Sequence, residues 1–349
     1  MPQDAWAALA DPFVEGAYES VKGRVRTFVL HTHLLRHLPG PPAAVLDVGG
    51  GAAHQSLPLA RIGYDVTVLD SSPAMLAKAE QRLDAEPDDV RRRVRLVEAA
   101  GEQAEEATGG QRFAAVLCHG VLMYVARPEP LLAAVCRRAA PGGVVSLMTL
   151  NARTLAVRPA LERRWTDALA AFDATDEVGV LGTDTRGDTV EDLSDLLRCH
   201  DVTPQAWYGV WLFTDWMALP PDGTDLAAIA DVELLASLRV PYRQLSRAFL
   251  LVGRRSGEAD VRAPPARREP PVHRRGRLLD RALGGVEQFD RWVQLRCIAL
   301  QPGGVLEHLD DPRFVPLAPR RPRPQPRGED VGAAGQREVV DLAEEGPFG

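Results

Sequence analysis

The chain has 349 residues, 45% hydrophobic and 26% charged, the balance of an ordinary globular protein with room for one good-sized domain and something smaller. Its formal net charge is −7, and residues 256–349 hold 15 Arg against 15 Asp plus Glu, so the excess lies on residues 1–255 and argues against broad, nonspecific nucleic-acid binding, though not against a local basic patch. No apolar run approaches the roughly 18 residues of a membrane span, the opening MPQDAWAALADPF has neither the basic start nor the apolar core of a secretory signal, and Cys118, Cys136, Cys199 and Cys297 are too scattered for a zinc site or a disulfide framework; the expectation is a cytoplasmic protein with no metal centre, its cysteines reduced and mostly buried.

From residue 43 to about 150, short apolar runs alternate with helical patterns. AVLDVG (43–48), VTVLD (66–70), VRLVE (94–98), FAAVLC (113–118) and VVSLMTL (144–150) read as buried strands. Helices are expected at 53–62, 73–86 and 129–140, the second opened by Ser72-Pro73, a hydroxyl cap followed by proline at the first helical position. Strand–helix alternation at this spacing means βαβ units and a parallel sheet. Pro141-Gly142-Gly143 should turn the chain into the fifth strand.

After 150 the pattern loosens. A helix is expected over 159–172, followed by a polar stretch rich in Gly and Asp. Thr189-Val190-Glu191-Asp192 resembles a capping box opening a helix through Cys199. QAWYGVWLF (205–213) reads as a strand, 225–238 as a helix and AFLLVG (248–253) as a last strand. The expected fold is therefore α/β and Rossmann-like, a seven-stranded and mostly parallel sheet filling residues 1–255. Beyond Arg255 the composition shifts: 12 of the 28 prolines fall in 256–349, and APRRPRPQPRGED (318–330) is of low complexity. That extension is expected to be largely disordered, with a helix plausible at 277–300.

The chemistry concentrates where the first strand ends. Asp47-Val48-Gly49-Gly50-Gly51 leaves a strand and opens a helix, where glycines let backbone approach a ligand and a helix N-terminus draws polar groups. A dinucleotide fingerprint would need glycine at the third position of G-x-G-x-x-G, and His54 stands there. Asp47 would also sit badly beside a pyrophosphate. S-adenosylmethionine (SAM), with its ammonium and sulfonium, welcomes an acid there and is preferred to NAD; a merely tight turn is the plain alternative. Asp70 ends the second strand, 21 residues after Gly49, where a carboxylate can accept both hydroxyls of a ribose. Glu98 and Glu102 follow the third strand and read as an adenine contact or as a solvated acidic loop. His119 and Asn151 end the fourth and fifth strands on the carboxyl edge, where open α/β sheets bind ligands. Tyr18, Lys22 and Arg26, spaced by four, would share one face of a helix and fold over the cofactor as a lid.

Over residues 1–255 the chain resembles the tRNA 5-carboxymethoxyuridine methyltransferases. The matching stretches are FVEGAYESVKGRVR (13–26), VLDVGGG (45–51), VLDSSPAML (68–76), HGVLMYVARP (119–128), APGGVVSLMTLNA (140–152) and YGVWLFTDW (208–216). The glycine turn and PGG mark only the superfamily, whereas Tyr18…Lys22-Gly23…Arg26, the His119 turn and Asn151 are more particular. The resemblance implies SAM contacts at Arg26, Gly49, Gly50, Asp70, Gly101, Glu102 and His119, with Asp47 and Gly51 in the same turn. It implies methylation of a carboxylate on a modified wobble uridine, so that tRNA is the partner and no general base is required. Tyr18, Lys22, Asn151 and Arg153 are the candidate acceptor-binding residues, with Arg127 a further candidate cation. The chain departs from the family at Trp211, where an Arg is usual, and in 256–349, which has no counterpart. Two other functions stay open: a SAM-dependent methyltransferase of a small metabolite, through an O or N nucleophile, and a SAM- or nucleotide-binding module without turnover.

Overall fold

The computed structural model describes residues 10–179, 182–217, 219 and 224–257. The expected extension 256–349 lies outside them except for Ser256 and Gly257, as does the helix expected at 277–300.

The chain enters through α1 (Ala10–Val14) and a π-helical turn (Glu15–Glu19), then starts afresh at Ser20, whose hydroxyl accepts from the amide of Gly23 and caps α2 (Val21–Leu34). The wound region follows in chain order: β1 (Ala44–Val48), α3 (Ser56–Arg61), β2 (Asp65–Asp70), α4 (Pro73–Asp84), α5 (Asp88–Arg91), β3 (Val94–Glu98), α6 (Ala104–Ala107), β4 (Phe113–His119), α7 (Glu129–Arg138) and β5 (Ala139–Asn151). Then come α8 (Val157–Leu161), α9 (Trp165–Ala171), β6 (Asp176–Val178), β7 (Asp184–Asp188), α10 (Val190–Arg198), β8 (Val202–Val210), α11 (Phe213–Trp216), α12 (Leu226–Ala236) and β9 (Ala248–Arg255).

Seven strands form the main sheet, in the order β3-β2-β1-β4-β5-β9-β8. The first five are mutually parallel, and β9 runs antiparallel between β5 and β8. Strand order reverses between β1 and β4, which opens a crevice beyond their carboxyl ends. The apolar runs of β1, β2, β4, β5 and β9 reflect burial on both faces; β3, expected to be buried, lies at the sheet edge and has no buried residue. Along β4, Ala115 and Leu117 pack into one core and Val116 and Cys118 into the other; along β9, Leu250 and Val252 face the first core and Phe249 and Leu251 the second. The period is two, as pleating requires. Helix α2 lies in the first core through Val25, Phe28 and Val29, and α7 in the second through Leu131, Leu132 and Val135.

The expected caps are present: Ser72 Oγ accepts from the Met75 amide and Thr189 Oγ1 from the Asp192 amide. The strand count is corrected from seven to nine. The polar stretch after 172, where no strand was expected, contains β6 and β7, an antiparallel pair whose β7 joins the end of β5 at Leu150↔Gly187 and Asn151↔Asp188. Its side chains gave no apolar alternation because most of β6 is solvent-facing. The helix expected over 159–172 is two helices, α8 and α9, broken where Arg163 adopts φ +60°. The helix expected from 53 begins at Ser56, because Ala53 is held at φ +60°. Pro141-Gly142-Gly143 lies inside β5 as an irregularity rather than ahead of it. Cys118 and Cys136 are buried, but Cys199 is exposed, and Cys297 lies outside the described residues. No described helix is long and apolar enough to cross a membrane, and among the described residues no cluster of His, Cys, Asp or Glu could hold a metal ion.

Candidate active site

The turn after β1 is drawn tight by the next strand. The carbonyl of Leu69 accepts from the amides of Gly49 (2.7 Å) and Gly50 (3.3 Å). Gly49 sits at φ +68°, and a Cβ there would lie 2.3 Å from Val121 Cγ2. Both oxygens of Asp70 serve this edge: Oδ2 accepts from the Gly51 amide and Oδ1 from the Ser72 amide, each at 2.9 Å. Asp70 thereby binds the glycine turn to the start of α4.

Asp47 lies behind the turn. It is 2% exposed, accepts from Ser56 Oγ at 2.6 Å, and would touch any Cβ added at Gly50. Burial, with nearby Asp70, pushes its carboxyl up to about 6. Gly101 follows β3, and a Cβ there would lie 2.4 Å from Leu131 Cδ1, so its smallness lets α7 pack closely. Glu102 beside it is exposed. At the end of β4, His119 Nε2 pairs with Ser146 Oγ at 2.9 Å while Nδ1 is buried with no partner. Burial and Arg26 hold its imidazole near 3, so it is neutral around pH 7.

Tyr18, Lys22 and Arg26 are brought together, although not on one helix. Tyr18 belongs to the π-helical turn, and Lys22 and Arg26 to α2. They enter a stack that joins the glycine turn to the end of β8. His54 lies flat on Tyr18 (4.1 Å between ring centroids, 8° between planes), and the Arg26 guanidinium carbon sits 4.2 Å over Tyr18 and 5.4 Å from Trp211. The Lys22 ammonium is 4.5 Å over Trp211, whose indole N–H donates to the Lys22 carbonyl at 3.2 Å. Each cation–ring contact contributes about 0.5–2 kcal/mol according to its desolvation. Trp211 itself is held at φ +59°, a left-handed conformation rare for so bulky a residue.

Beyond this stack lies a cavity of about 280 Å³. Met123, Met148, Leu150 and Trp211 give it apolar walls, and one wall carries a dense ionic cluster. The side chain of Asp215, 1% exposed on α11, forms an ion pair with Lys22, another with Arg158 at 2.7 Å, and lies 3.8 Å from Arg247 Nε. Arg247 is also paired with Glu177 of β6, while its Nη1 is buried without a partner. Desolvation lowers the pKa of Lys22 and brings that of Arg247 down to about 10. The cavity thus faces four cations (Lys22, Arg26, Arg158, Arg247) with two carboxylates (Asp215, Glu177), an excess of two positive charges (4 − 2).

Two expected acceptor residues are placed elsewhere. Asn151 is spent on the backbone: its Nδ2 donates to the carbonyls of Gln244 and Ser246, and its Oδ1 accepts from the Arg153 amide. It ties β5 to the segment before β9 and does not line the cavity. Arg153 is 65% exposed and pairs with Glu191 on α10. Arg127 is exposed as well. Sequence reasoning missed Arg158, Glu177, Asp215 and Arg247. Asp215 stood inside the quoted YGVWLFTDW, but nothing local distinguished any of the four, because only the fold brings positions 158, 177, 215 and 247 together.

Residues 46–145 match the family model described as a methyltransferase domain. Over 150 residues the chain is 32% identical to the tRNA 5-carboxymethoxyuridine methyltransferase of Escherichia coli (strain K12), covering 42% of this chain and 56% of that protein. Over 109 residues it is 38% identical to the ubiquinone biosynthesis O-methyltransferase of Xanthomonas oryzae pv. oryzae (strain PXO99A), covering 31% of this chain and 44% of that protein. The chain therefore spans about half the length of these curated relatives. Among solved structures, the magnesium protoporphyrin IX methyltransferase of Synechocystis PCC 6803 with bound SAH is similar at a TM-score of 0.50 and 14% identity, covering 73% of this chain and 98% of that one. That likeness is one of fold: the sheet and its helices have the class I methyltransferase architecture.

Proposed function

We propose that this chain is a SAM-dependent methyltransferase whose acceptor is a carboxylate, that of 5-carboxymethoxyuridine at the wobble position of tRNA. The observation that carries this reading is the cationic wall of the cavity, with Arg247 Nη1 buried and unpartnered beside it. A buried donor left unpaired is costly and points to a group that would accept from it.

The residues at the carboxyl edge suit SAM. Asp70 would receive the ribose hydroxyls, the turn at Gly49, Gly50 and Gly51 would let backbone approach, and Asp47 would brace that turn from behind. Arg26 Nε, a donor, and His119 Nδ1, a donor or an acceptor according to tautomer, are both buried without partners and would be open to a polar ligand. When bound, SAM supplies an electrophilic methyl group. The chain's own work is then binding and alignment. Lys22, Arg158 and Arg247 would hold the acceptor carboxylate, and the apolar walls would strip water from it. A carboxylate is already ionised at neutral pH, which agrees with a cavity where the nearby histidine is neutral and engaged with Ser146. With tRNA as acceptor the reaction belongs in the cytoplasm.

The test is methyl transfer from labelled SAM to tRNA bearing 5-carboxymethoxyuridine, read by nucleoside mass spectrometry. The expected product is an alkali-labile methyl ester on that nucleoside. A second reading, transfer to a small metabolite through an O or N nucleophile, is favoured over tRNA by the net charge of −7 and by the likeness to a ubiquinone biosynthesis O-methyltransferase. Label passing into the small-molecule fraction of an extract, with none into tRNA, would select it.

A further inference from the structure

Arg247 is built to grip with one edge and is half prevented from doing so. Its backbone is fixed, with the amide donating to the Trp211 carbonyl and the carbonyl accepting from the Asn151 amide, both at 3.0 Å. Its side chain is 5% exposed. Nε faces Asp215, Nη2 is paired with Glu177, and Nη1 is free. A carboxylate binds a guanidinium most firmly through two parallel N–H donors. On Arg247 the free edge offers Nη1 and Nη2, and Glu177 already holds one of them.

The two carboxylates around Arg247 differ in how they are held. Asp215 is 1% exposed and serves Lys22, Arg158 and Arg247 at once, so removing it would take the carboxylate from Lys22 and Arg158 and leave Arg247 with Glu177. Glu177 is 22% exposed, has Arg247 as its ion-pair partner, and stands on a three-residue strand that pairs with β7. Its main chain is held independently, since its carbonyl accepts from Thr185 Oγ1 at 3.2 Å. The side chain can therefore leave Arg247 without unmaking the strand.

We propose that Glu177 is a placeholder for the acceptor: its carboxylate occupies the anion subsite of Arg247 in the resting protein, yields it to an anionic acceptor, and reclaims it when methylation has removed the acceptor's charge. The inference rests on the carboxylate reading given above. Exchange of one carboxylate for another keeps Arg247 neutralised throughout, whereas a neutral ligand that displaced Glu177 would leave the buried Arg247 with only Asp215, 3.8 Å from its Nε. In the reaction an acceptor oxygen bonds the methyl carbon, the sulfur–methyl bond breaks with its electron pair kept by sulfur, and a neutral ester results without any proton transfer. The ester then competes poorly with Glu177 for Arg247. Glu177 thus selects anionic acceptors and favours product release.

The experiment is Glu177→Gln, which keeps size and removes charge, with Glu177→Ala as a second variant. Acceptor KM is measured with tRNA bearing 5-carboxymethoxyuridine, and product inhibition with the same tRNA carrying the methyl ester. Removing an internal competitor raises the competent fraction, so KM and the inhibition constant of the ester should both fall, about three- to tenfold. A purely structural ion pair would instead leave both constants unchanged or raise KM in both variants, and that result overturns the placeholder while the carboxylate reading stands. Should the unmodified protein bind SAM yet methylate no carboxylate acceptor, the carboxylate reading falls and the placeholder falls with it.

Discussion

The carboxyl edge of β1 and β2 and the cavity beside β5 lie at the same end of one sheet, but they are made of different materials. The first is made of backbone. Gly49, Gly50 and Gly51 take their shape from the Leu69 carbonyl and from Asp70, and burial keeps the histidines near them neutral, His54 driven down to about 2 and His119 to about 3, while Asp47 rises to about 6. The second is made of charge. Side chains from α2, α8, β6 and α11 and from the segment before β9 meet there, and Asp215 holds most of them in place. A backbone site tolerates many side-chain changes and fails when a Cβ is added or a turn is released. A charge site fails when its balance is upset, wherever in the chain the change is made.

The sharpest separation of the two regions comes from Asp215→Asn. Three cations would lose their shared counter-ion, and breaking a buried ion pair costs roughly 3–5 kcal/mol. Lys22 and Arg158 are 30% and 23% exposed in their side chains, so solvent should bring the penalty toward the lower end. Denaturant unfolding should show that loss of stability. Methyl transfer should be lost, and titration of the variant below its midpoint should still find SAM bound within about threefold of the unmodified protein. Loss of SAM binding by a protein that remains folded would show that the two regions are not separable.

Tyr18→Ala should breach the division instead, since Tyr18 touches His54 of the glycine turn on one side and Arg26 of the cavity on the other. A ring stack contributes about 0.5–1.5 kcal/mol and a cation–ring contact about 0.5–2 kcal/mol. SAM affinity and acceptor KM should therefore both worsen, each by roughly three- to thirtyfold. An effect on one and not the other would assign Tyr18 to a single region.

Asp70→Ala tests the backbone region alone. It removes the acceptors of the Gly51 and Ser72 amides along with any hydrogen bonds to a ribose. Unsatisfied partners cost about 1–3 kcal/mol, so SAM should bind roughly five- to 150-fold more weakly by calorimetry, with acceptor KM at saturating SAM little changed. Unaltered SAM affinity would remove Asp70 from the cofactor site.

These two regions were unequally legible in the sequence, and for a physical reason. The glycine turn and Asp70 lie in contiguous stretches, 45–54 and 68–72, whose residue types are dictated by local backbone geometry. Most of the strands showed because burial on both faces leaves mainly apolar residues in β1, β2, β4, β5 and β9. The β6–β7 pair stayed hidden because it is short and half exposed, so no alternation marks it. The ionic cluster stayed hidden because Arg158, Glu177, Asp215 and Arg247 look like ordinary surface charges until tertiary folding buries them. Proximity to a strand end pointed to Arg127 and Arg153 and passed over Arg158, five residues beyond Arg153, whereas Lys22 and Arg26, chosen by their helical spacing and the family resemblance, do line the cavity.

Arg153 and Arg158 give the smallest expected effect and a clean control. Arg153 follows β5 but turns outward, 65% exposed, to a glutamate that is itself 63% exposed. Pairs of that kind contribute about 0–1 kcal/mol. Arg158 is one helix further along, lines the cavity, and reaches Asp215 at 2.7 Å with its guanidinium carbon 5.9 Å over Trp216. Both are arginines on the same connection and both removals subtract one charge, so any long-range effect of net charge on encounter with the acceptor should be shared by the two variants. Arg153→Ala should then leave stability and acceptor KM within about twofold of the unmodified protein. Arg158→Ala should raise acceptor KM while sparing SAM affinity, because it removes a contact made by ground state and transition state alike. Equal rises in KM from both would mean that the acceptor is drawn in by the general field and not held by the cluster. A rise from Arg153→Ala alone would move the acceptor site out of the cavity and toward α10.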